Sequence, residues 1–249
     1  MNLDEYERMY QVEDTHWWYH SLHALLDDFV QGAFAAEHAI PHSRRLLDIG
    51  CGTGATLHYL ESQGWAVGVD ISTEALHWCK QRNAAHLTHA SAMELPFLPA
   101  QFHAAVMLDV LYHQQVPDPL TPLREAHRVL KPGGYLFVNV PAYAWLYSSH
   151  DRAVHTARRF TKTQLTRYLN EAGFDVVRAS YWNFLLFPMV AAVRLLRKMK
   201  PDRGSDLPEE GASPLNTPLI MLLTVERFLL RHCSLPFGLS VFAVARKRG

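Results

Sequence analysis

The sequence predicts an α/β fold: helices packed on a doubly wound, mostly parallel sheet. Short apolar runs alternate with amphipathic segments over residues 44–179, the pattern of helices covering a parallel sheet. A glycine turn follows the first apolar run, in "LLDIGCGTGATL" at residues 46–57. With 49% of 249 residues hydrophobic, the chain can fill the core of one large domain or a domain plus an insertion, and its composition is not that of a disordered chain.

The first strand is "RRLLDI". The helix "ATLHYLES" follows, with Ala55, Leu57 and Leu60 on one side, and Gly64 is expected to end it in a left-handed conformation. "WAVGVD" is the second strand, ending at Asp70. Ser72 caps the helix "TEALHWCKQRN", a third strand lies at residues 86–90, and "AAVMLDV" is the fourth, ending around Asp109. "DPLTPLREAHRVL" reads as a helix that begins near prolines and stops at "KPGG", before the fifth strand "YLFVNV". Thr161 and Gln164 form a capping box for "KTQLTRYLNEAG", "FDVVRASYW" is the sixth strand and "LSVFAVAR" the seventh.

Residues 184–238 are too many for a plain loop and should carry helices. In "PMVAAVRLLRKMK", Arg194, Arg197 and Lys198 share helical spacing, and Val193, Leu196 and Met199 point elsewhere. "TPLIMLLTVERFLLRH" is a second apolar helix, and "PDRGSDLPEEGASP" between the two reads as a mobile polar loop. The organisation expected is a helical cap at 1–43, a cofactor-binding core at 44–183, a helical lid at 184–238 and a last core strand at 239–249.

Composition narrows the function. Lys plus Arg equals Asp plus Glu, 24 each, so no overall field recruits nucleic acid, and the basic residues form no long stripe. Cys51, Cys79 and Cys233 are too scattered for a disulfide framework or zinc knuckle, which suits a reduced cytoplasmic setting. The acidic, aromatic N-terminus is unlike a signal peptide, and no apolar run reaches the roughly 18 to 20 residues of a spanning helix.

Gly50, Gly52 and Ala55 fit the G-x-G-x-x-A dinucleotide pattern, a weak signal alone. Asp48, two residues before the turn, would repel a pyrophosphate but face a cationic amino-acid group. Gly54 lets a ligand lie on the backbone, and Asp70 can accept two ribose hydroxyls. Adenosine joined to an amino acid fits all four features, whereas an NAD-dependent oxidoreductase rests on the glycine spacing alone.

The segments "LLDIGCGTG", "VGVDIS", "ELPF", "LDVLYH" and "VLKPGG" resemble, in order and spacing, the class I S-adenosylmethionine-dependent methyltransferases over residues 44–179. The flanking "EDTHWWYH", "VPAYAWLYSSHD", "RRFT", "LFP" and "PFGLSVFAVAR" look like one bacterial small-molecule methyltransferase subfamily with a methyltransferase-11/23-type core. That resemblance implies a Rossmann-like, seven-stranded sheet with the last strand antiparallel, S-adenosylmethionine as cofactor and S-adenosylhomocysteine as product. It also implies that Asp48, Gly50, Cys51, Gly52 and Gly54 contact the methionine part. Asp70 and Ile71 would hold the ribose, Ser91, Ala92 and Met93 the adenine, and Asp109 would lie near the amino group, with Trp18 over the cleft. Three positions depart from the usual pattern: Ser91 replaces an aspartate at the adenine, His103 an aspartate before strand four, and Tyr112 a glutamate before His113. These departures motivate an alternative in which the chain binds the cofactor as a non-catalytic scaffold.

Methyl transfer from a sulfonium is an in-line displacement, so the protein mainly holds donor and acceptor in line. An alcohol acceptor needs a base, and histidine is the usual one. His113 after strand four is the first candidate, with His150, His155 and Tyr143 near the same sheet edge; a loop-ordering role is the plainer reading of His113. In "HDRAVHTARRF", Asp151 can orient a histidine and Arg158 and Arg159 can grip an anionic acceptor, or the segment is a salt-bridged loop. Trp17 and Tyr112 are expected to shape the acceptor pocket. His16, His20 and His23 fall at i, i+4, i+7 of an N-terminal helix, but no metal is expected. The insertion is expected to cover a small-molecule or lipid-like acceptor as a lid. The other readings are a peripheral membrane contact through residues 188–200, with Arg194, Arg197, Lys198 and Lys200 on head groups, and a core or dimer contact. Monomer and homodimer both stay open.

Overall fold

The computed structural model describes residues 2–35, 43–197 and 215–249. The sheet has seven strands in the order β3-β2-β1-β4-β5-β7-β6. They are β1 Arg45–Ile49, β2 Trp65–Asp70, β3 Leu87–His89, β4 Phe102–Leu108, β5 Leu130–Pro141, β6 Phe174–Trp182 and β7 Ser240–Lys247. The first five pair in parallel, and β7 runs antiparallel to both β5 and β6. The expected doubly wound sheet with an antiparallel last strand is therefore present.

The helices are α1 Leu3–Val12, α2 Trp17–Phe34, α3 Ala55–Gln63, α4 Thr73–Gln81, α5 Leu120–Val129, α6 Ser149–Ala153, α7 Lys162–Glu171, α8 Phe187–Arg197 and α9 Asn216–His232. Strand residues alternate between faces, and β1 shows how that sorts the core. Leu47 and Ile49 pack with Leu123 and Ala126 of α5 and Leu165 and Leu169 of α7. Leu46 joins the opposite layer, with Leu25 and Leu26 of α2, Leu57 and Leu60 of α3 and Leu230 of α9. Both faces of β1 are thus dry, which explains its run of apolar residues.

Local capping follows the sequence where short polar side chains sit at helix starts. Ser72 Oγ accepts the Ala75 N–H at 3.3 Å, and Thr161 and Gln164 form the expected box. Several expectations are corrected. Gly64 has φ 164°, an extended conformation that passes α3 straight into β2 rather than a left-handed cap. The N-terminal region is two helices, because the chain turns at residues 13–16 and His16 caps α2 with its own side chain. "KPGG" belongs to β5, which starts at Leu130 opposite Phe102; a register shift there absorbs the irregular stretch, with Gly133 at φ +77°. β4 ends at Leu108, and α4 and α5 are each shorter than the pattern suggested. The polar loop at 201–214, with Lys198 and Lys200, lies outside the described residues.

Among the described residues no helix is long and apolar enough to cross a membrane. α9 is moored instead on α2, where Asp28 pairs with Arg227 at 2.8 Å and with Arg231, and Glu226 is buried and accepts the Leu185 N–H at 3.0 Å.

Gly68 stands beside Asp48 in the β1–β2 register, where a Cβ would lie 2.7 Å from Leu57 Cδ2 and 2.9 Å from Cys51 Sγ. Gly68→Ala therefore overpacks the layer under the glycine turn. The expected result is a loss of about 1–3 kcal/mol in urea unfolding with an unchanged m-value; stability equal to that of the parent chain would show that the layer has slack.

Candidate functional site

β1 is the switch point of the sheet: the chain leaves it toward β2 and β3, then crosses back to β4 on its other side. The loops after β1 and β4 diverge there, which opens a crevice at the carboxyl edge. A cavity of about 540 Å³ lies at that place, within the range of small-molecule sites. Asp48 and the Gly50–Thr53 turn form its floor, Asp109 and Tyr112 one side, α1 and the start of α2 the roof, and α6 and α8 the far wall.

The floor is polar and underpartnered. Gly50 has φ +76°, and a Cβ on it would meet Val110 Cγ2 at 2.4 Å, so the turn accepts only glycine there. Asp48 is 2% exposed, and its Oδ2 has no hydrogen-bond partner among the described residues. Burial, with Asp70 and Glu13 nearby, pushes its carboxyl up to about 8. Asp70 is held differently: Oδ2 accepts the Gly52 N–H at 3.0 Å and Oδ1 the Ser72 N–H at 2.8 Å, although burial still raises it. Ile71, just after it, is exposed, and its carbonyl lies 2.8 Å from His89 Nε2. Ser91 Oγ accepts the Met93 N–H at 3.1 Å, so this position orders the turn through Ala92. Asp70, Ile71, Ser91, Ala92 and Met93, like Gly54, are not among the residues that line the cavity. Gly54, at φ +94°, is the N-cap of α3 and sits tightly on Cys79.

α1 closes over this floor together with the start of α2, as the expected N-terminal cap over the cleft. Thr53 donates its hydroxyl to Glu13, and Arg82, the C-cap of α4, holds Glu13 at 2.9 Å and Asp14 at 2.8 Å while donating to the Thr53 carbonyl at 3.1 Å. Arg82 also lies over the Tyr10 ring, so one guanidinium ties α1, α4 and the glycine turn together. Burial moves Glu13 up to about 7 in spite of that pairing. Tyr6 and Met9 reach down from the same helix, toward Ser72 and Gly52 respectively.

The opposite half of the cavity is aromatic: Trp17, Trp18, Tyr19 and Tyr112 line it, with Met189, Val190 and Val193 of α8. Trp18 packs on Trp182 with ring centroids 5.9 Å apart. Trp182 Nε1 donates to Asn139 Oδ1 at 2.7 Å, and Asn139 Nδ2 donates to both Asp109 oxygens at 3.0 and 3.1 Å. This relay fixes Asp109, whose φ is +58°, and burial raises its carboxyl to about 7. Burial also keeps the Tyr112 and Tyr19 phenols protonated. Asn139 was missed from sequence, and the signal was a lone polar residue within the apolar run "YLFVNV".

Several expected acceptor and base residues are placed elsewhere. Arg159 lines the cavity, but its guanidinium is taken by Asp151 at 2.8 and 3.0 Å and by the Ala142 carbonyl at 2.9 Å. Asp151 in turn accepts the Ser148 N–H and is held below the usual carboxylate range chiefly by Arg159, against its burial. Arg158 binds the Val116 and Pro117 carbonyls at 2.6 and 3.0 Å and is outside the cavity. The pair expected to grip an anionic acceptor is thus spent on the fold. His113 and His155 pack on each other at 5.9 Å beside the bridge from His113 to Thr156, and Tyr143 stacks on Tyr181 at 5.1 Å; none of the three lines the cavity. His150 does line it, as does His16, which the sequence reading put on a helix face with His20 and His23. His23 contacts Thr56 Oγ1 at 3.1 Å, and no metal-binding group of three occurs among the described residues. His103 accepts the Arg45 N–H at 2.9 Å and meets Lys131 Nζ at 2.8 Å, so it braces β1 and β5 and leaves the site untouched.

Residues 47–138 match the family described as "Methyltransferase domain". The chain is 29% identical over 153 residues to the ubiquinone biosynthesis O-methyltransferase of Pseudomonas aeruginosa, covering 53% of this chain and 65% of that one. It is 34% identical over 124 residues to the demethylmenaquinone methyltransferase of Staphylococcus epidermidis, covering 44% and 51%. The match thus spans between about half and two thirds of the length of these relatives. Phosphoethanolamine N-methyltransferase 2 of Haemonchus contortus, solved with S-adenosyl-L-methionine, shares the fold with a TM-score of 0.60 at 19% identity, over 93% of this chain and 53% of that one.

Asp48, Glu13 and Asp109 carry folded pKa values raised to about 8, 7 and 7. A raised carboxyl stabilises the fold while protonated, and that contribution is lost as pH rises through the folded value. His23 and His113, both lowered to about 4, act in the opposite sense, below about pH 6.5. The ligand-free chain should therefore lose thermal stability between about pH 6.5 and about pH 8.5, and Asp48→Asn should flatten that slope. A pH-independent melting temperature over this interval would mean that these carboxylates are solvated.

Proposed function

We propose that this chain, which carries a class I S-adenosylmethionine-dependent methyltransferase domain, moves a methyl group from that cofactor to a neutral or cationic small-molecule or lipid-like acceptor. The observation that carries the reading is the unpartnered Asp48 Oδ2 on the floor of a ligand-sized cavity. It suits the ammonium of an amino-acid-bearing cofactor, whereas a pyrophosphate would gain nothing from the acids Asp48, Glu13 and Asp109 and would be repelled by each that ionises. When bound, the cofactor supplies a methyl group on a positively charged sulfur.

In this reading Asp48 and the turn through Gly50, Cys51, Gly52 and Gly54 hold the methionine part, and Asp70 accepts the ribose hydroxyls beside Ile71. Ser91, Ala92 and Met93 border the adenine, and Asp109 lies near the methionine amino group. Trp17, Trp18, Tyr19 and Tyr112 exclude water and orient the acceptor, and residues 184–238 close the acceptor side. His150 is the residue to take the proton of a hydroxyl acceptor, because it alone among the first-considered bases lines the cavity. The quinone-directed names of the relatives support an aromatic, apolar acceptor. With His103 bracing the sheet and Ser91 ordering a turn, two of the departures that suggested a non-catalytic scaffold have structural roles.

Calorimetric titration should detect binding of both S-adenosylmethionine and S-adenosylhomocysteine; binding of neither at high micromolar concentration would sink the proposal. With an acceptor identified by label transfer into a cell extract, His150→Ala should lower kcat by about 10²–10⁴ for a hydroxyl substrate and leave cofactor affinity unchanged. His113→Ala should change kcat little, and the reverse pattern would reassign the base.

A further inference from the structure

Of the three departures from the family pattern, Tyr112 is the one that the fold leaves without a structural role. Its ring lines the cavity, and its hydroxyl has no hydrogen-bond partner among the described residues. Tyr19, in the first turn of α2, lines the same cavity with its hydroxyl equally unpartnered among the described residues. Phenols set this deep in a fold ordinarily find a partner. Both backbones are held. The Tyr112 carbonyl accepts the Ala157 N–H at 2.8 Å, and α2 starts from the His16 cap with the Trp17 N–H donated to Asn216 Oδ1 at 2.7 Å. The two hydroxyls are thus carried on fixed elements, with hydrogen bonds to spare.

Their electrostatic surroundings place and restrict them. Burial foremost, then Glu13, Asp109 and Glu5, raises the Tyr19 phenol; burial, then Asp109, Tyr19 and Asp151, raises Tyr112, with Arg159 acting the other way. Asp109 is thus a neighbour of both phenols. It follows β4, the strand beside β1, so it stands next to the glycine floor. The phenol pair therefore borders the seam where the acidic floor meets the aromatic half, across which a methyl group would pass. Charge selects what can bind there. Arg159 is spent on Asp151 at 2.8 Å, so an anionic head would face acids without a free cation from that residue. An amine among these acids would be held as its ammonium, which has no lone pair to attack with. A neutral oxygen meets neither obstacle, and it accepts the two phenol O–H groups that burial keeps protonated.

We propose that the Tyr19 and Tyr112 hydroxyls hold a neutral oxygen, a hydroxyl or a carbonyl, at the reacting end of an aromatic acceptor. Both act by binding and positioning, and neither exchanges a proton in the transfer. The recognition of the oxygen rests on the phenols and the cavity alone, whereas its place beside the transferred methyl group rests on the methyl-transfer reading.

The test is ligand-observed NMR titration of the full chain with 1-naphthol, naphthalene and 1-naphthoate, which share one ring system and differ in the head group. The parent chain should bind 1-naphthol at least about tenfold more tightly than naphthalene, although naphthalene is the more apolar, and more tightly than 1-naphthoate. Y19F and Y112F should each weaken 1-naphthol about threefold to tenfold and leave naphthalene unchanged. The double variant should abolish the preference, and the two single variants carry the test if the pair does not melt cooperatively. Equal binding of 1-naphthol and naphthalene by the parent chain, or no binding of either, overturns the proposal. So does a preference that survives in the variants, or a loss of affinity for both probes, which would give the rings a packing role alone. Tightest binding of 1-naphthoate would assign the site to an anion. Calorimetry with S-adenosylhomocysteine on the same proteins, expected to be unaltered by either substitution, reports separately on the methyl-transfer reading.

Discussion

An acid buried without a protein cation is the constraint on which the site depends. Asp48 sits at the end of a strand whose neighbours on both faces are dry, and its Oδ2 meets no donor among the described residues. Leaving a buried acceptor unmatched costs roughly 1–3 kcal/mol, and more for a charge. The ligand-free protein reduces that cost by keeping the carboxyl protonated near neutral pH, as the value of about 8 indicates. A ligand cation would reverse the balance, and the glycine turn leaves room for one to approach.

The surrounding architecture holds this arrangement in place. Gly68 allows β2 to lie against β1 and Cys51, and Arg82 draws α1 over the floor by binding Glu13, Asp14 and the Thr53 carbonyl. On the other side, Trp182 and Asn139 hold Asp109 in a left-handed conformation at the end of β4. The cavity is therefore acidic at one end and aromatic at the other. Such a gradient suits a cationic donor facing an apolar acceptor.

Much of this was legible in sequence where a local rule governs it. The order of strands, the Ser72 and Thr161 caps, and the pairing of Asp48 with a glycine turn all follow from short-range patterns. The acceptor side was less legible because its chemistry is settled by long-range partners. Arg158 and Arg159 carry the charge expected of a substrate clamp, yet carbonyls at Val116, Pro117 and Ala142 and the carboxylate of Asp151 consume it. His113 ranks first in the sequence because it follows strand four, yet of His113, His150 and His155 it is His150, at the start of α6, that lines the cavity. The tie that holds α1 over the floor was not legible either, since Glu13 and Arg82 are 69 positions apart and no local pattern links them.

The central claim is that the floor carboxyl groups release protons to solvent when a cationic ligand binds among them. Its most direct measurement is calorimetric binding of S-adenosylmethionine near pH 7 in two buffers of different ionisation enthalpy, which counts protons exchanged on binding. The account predicts a net release of protons, reduced in Asp48→Asn. Binding with no proton release, or with uptake, would contradict it.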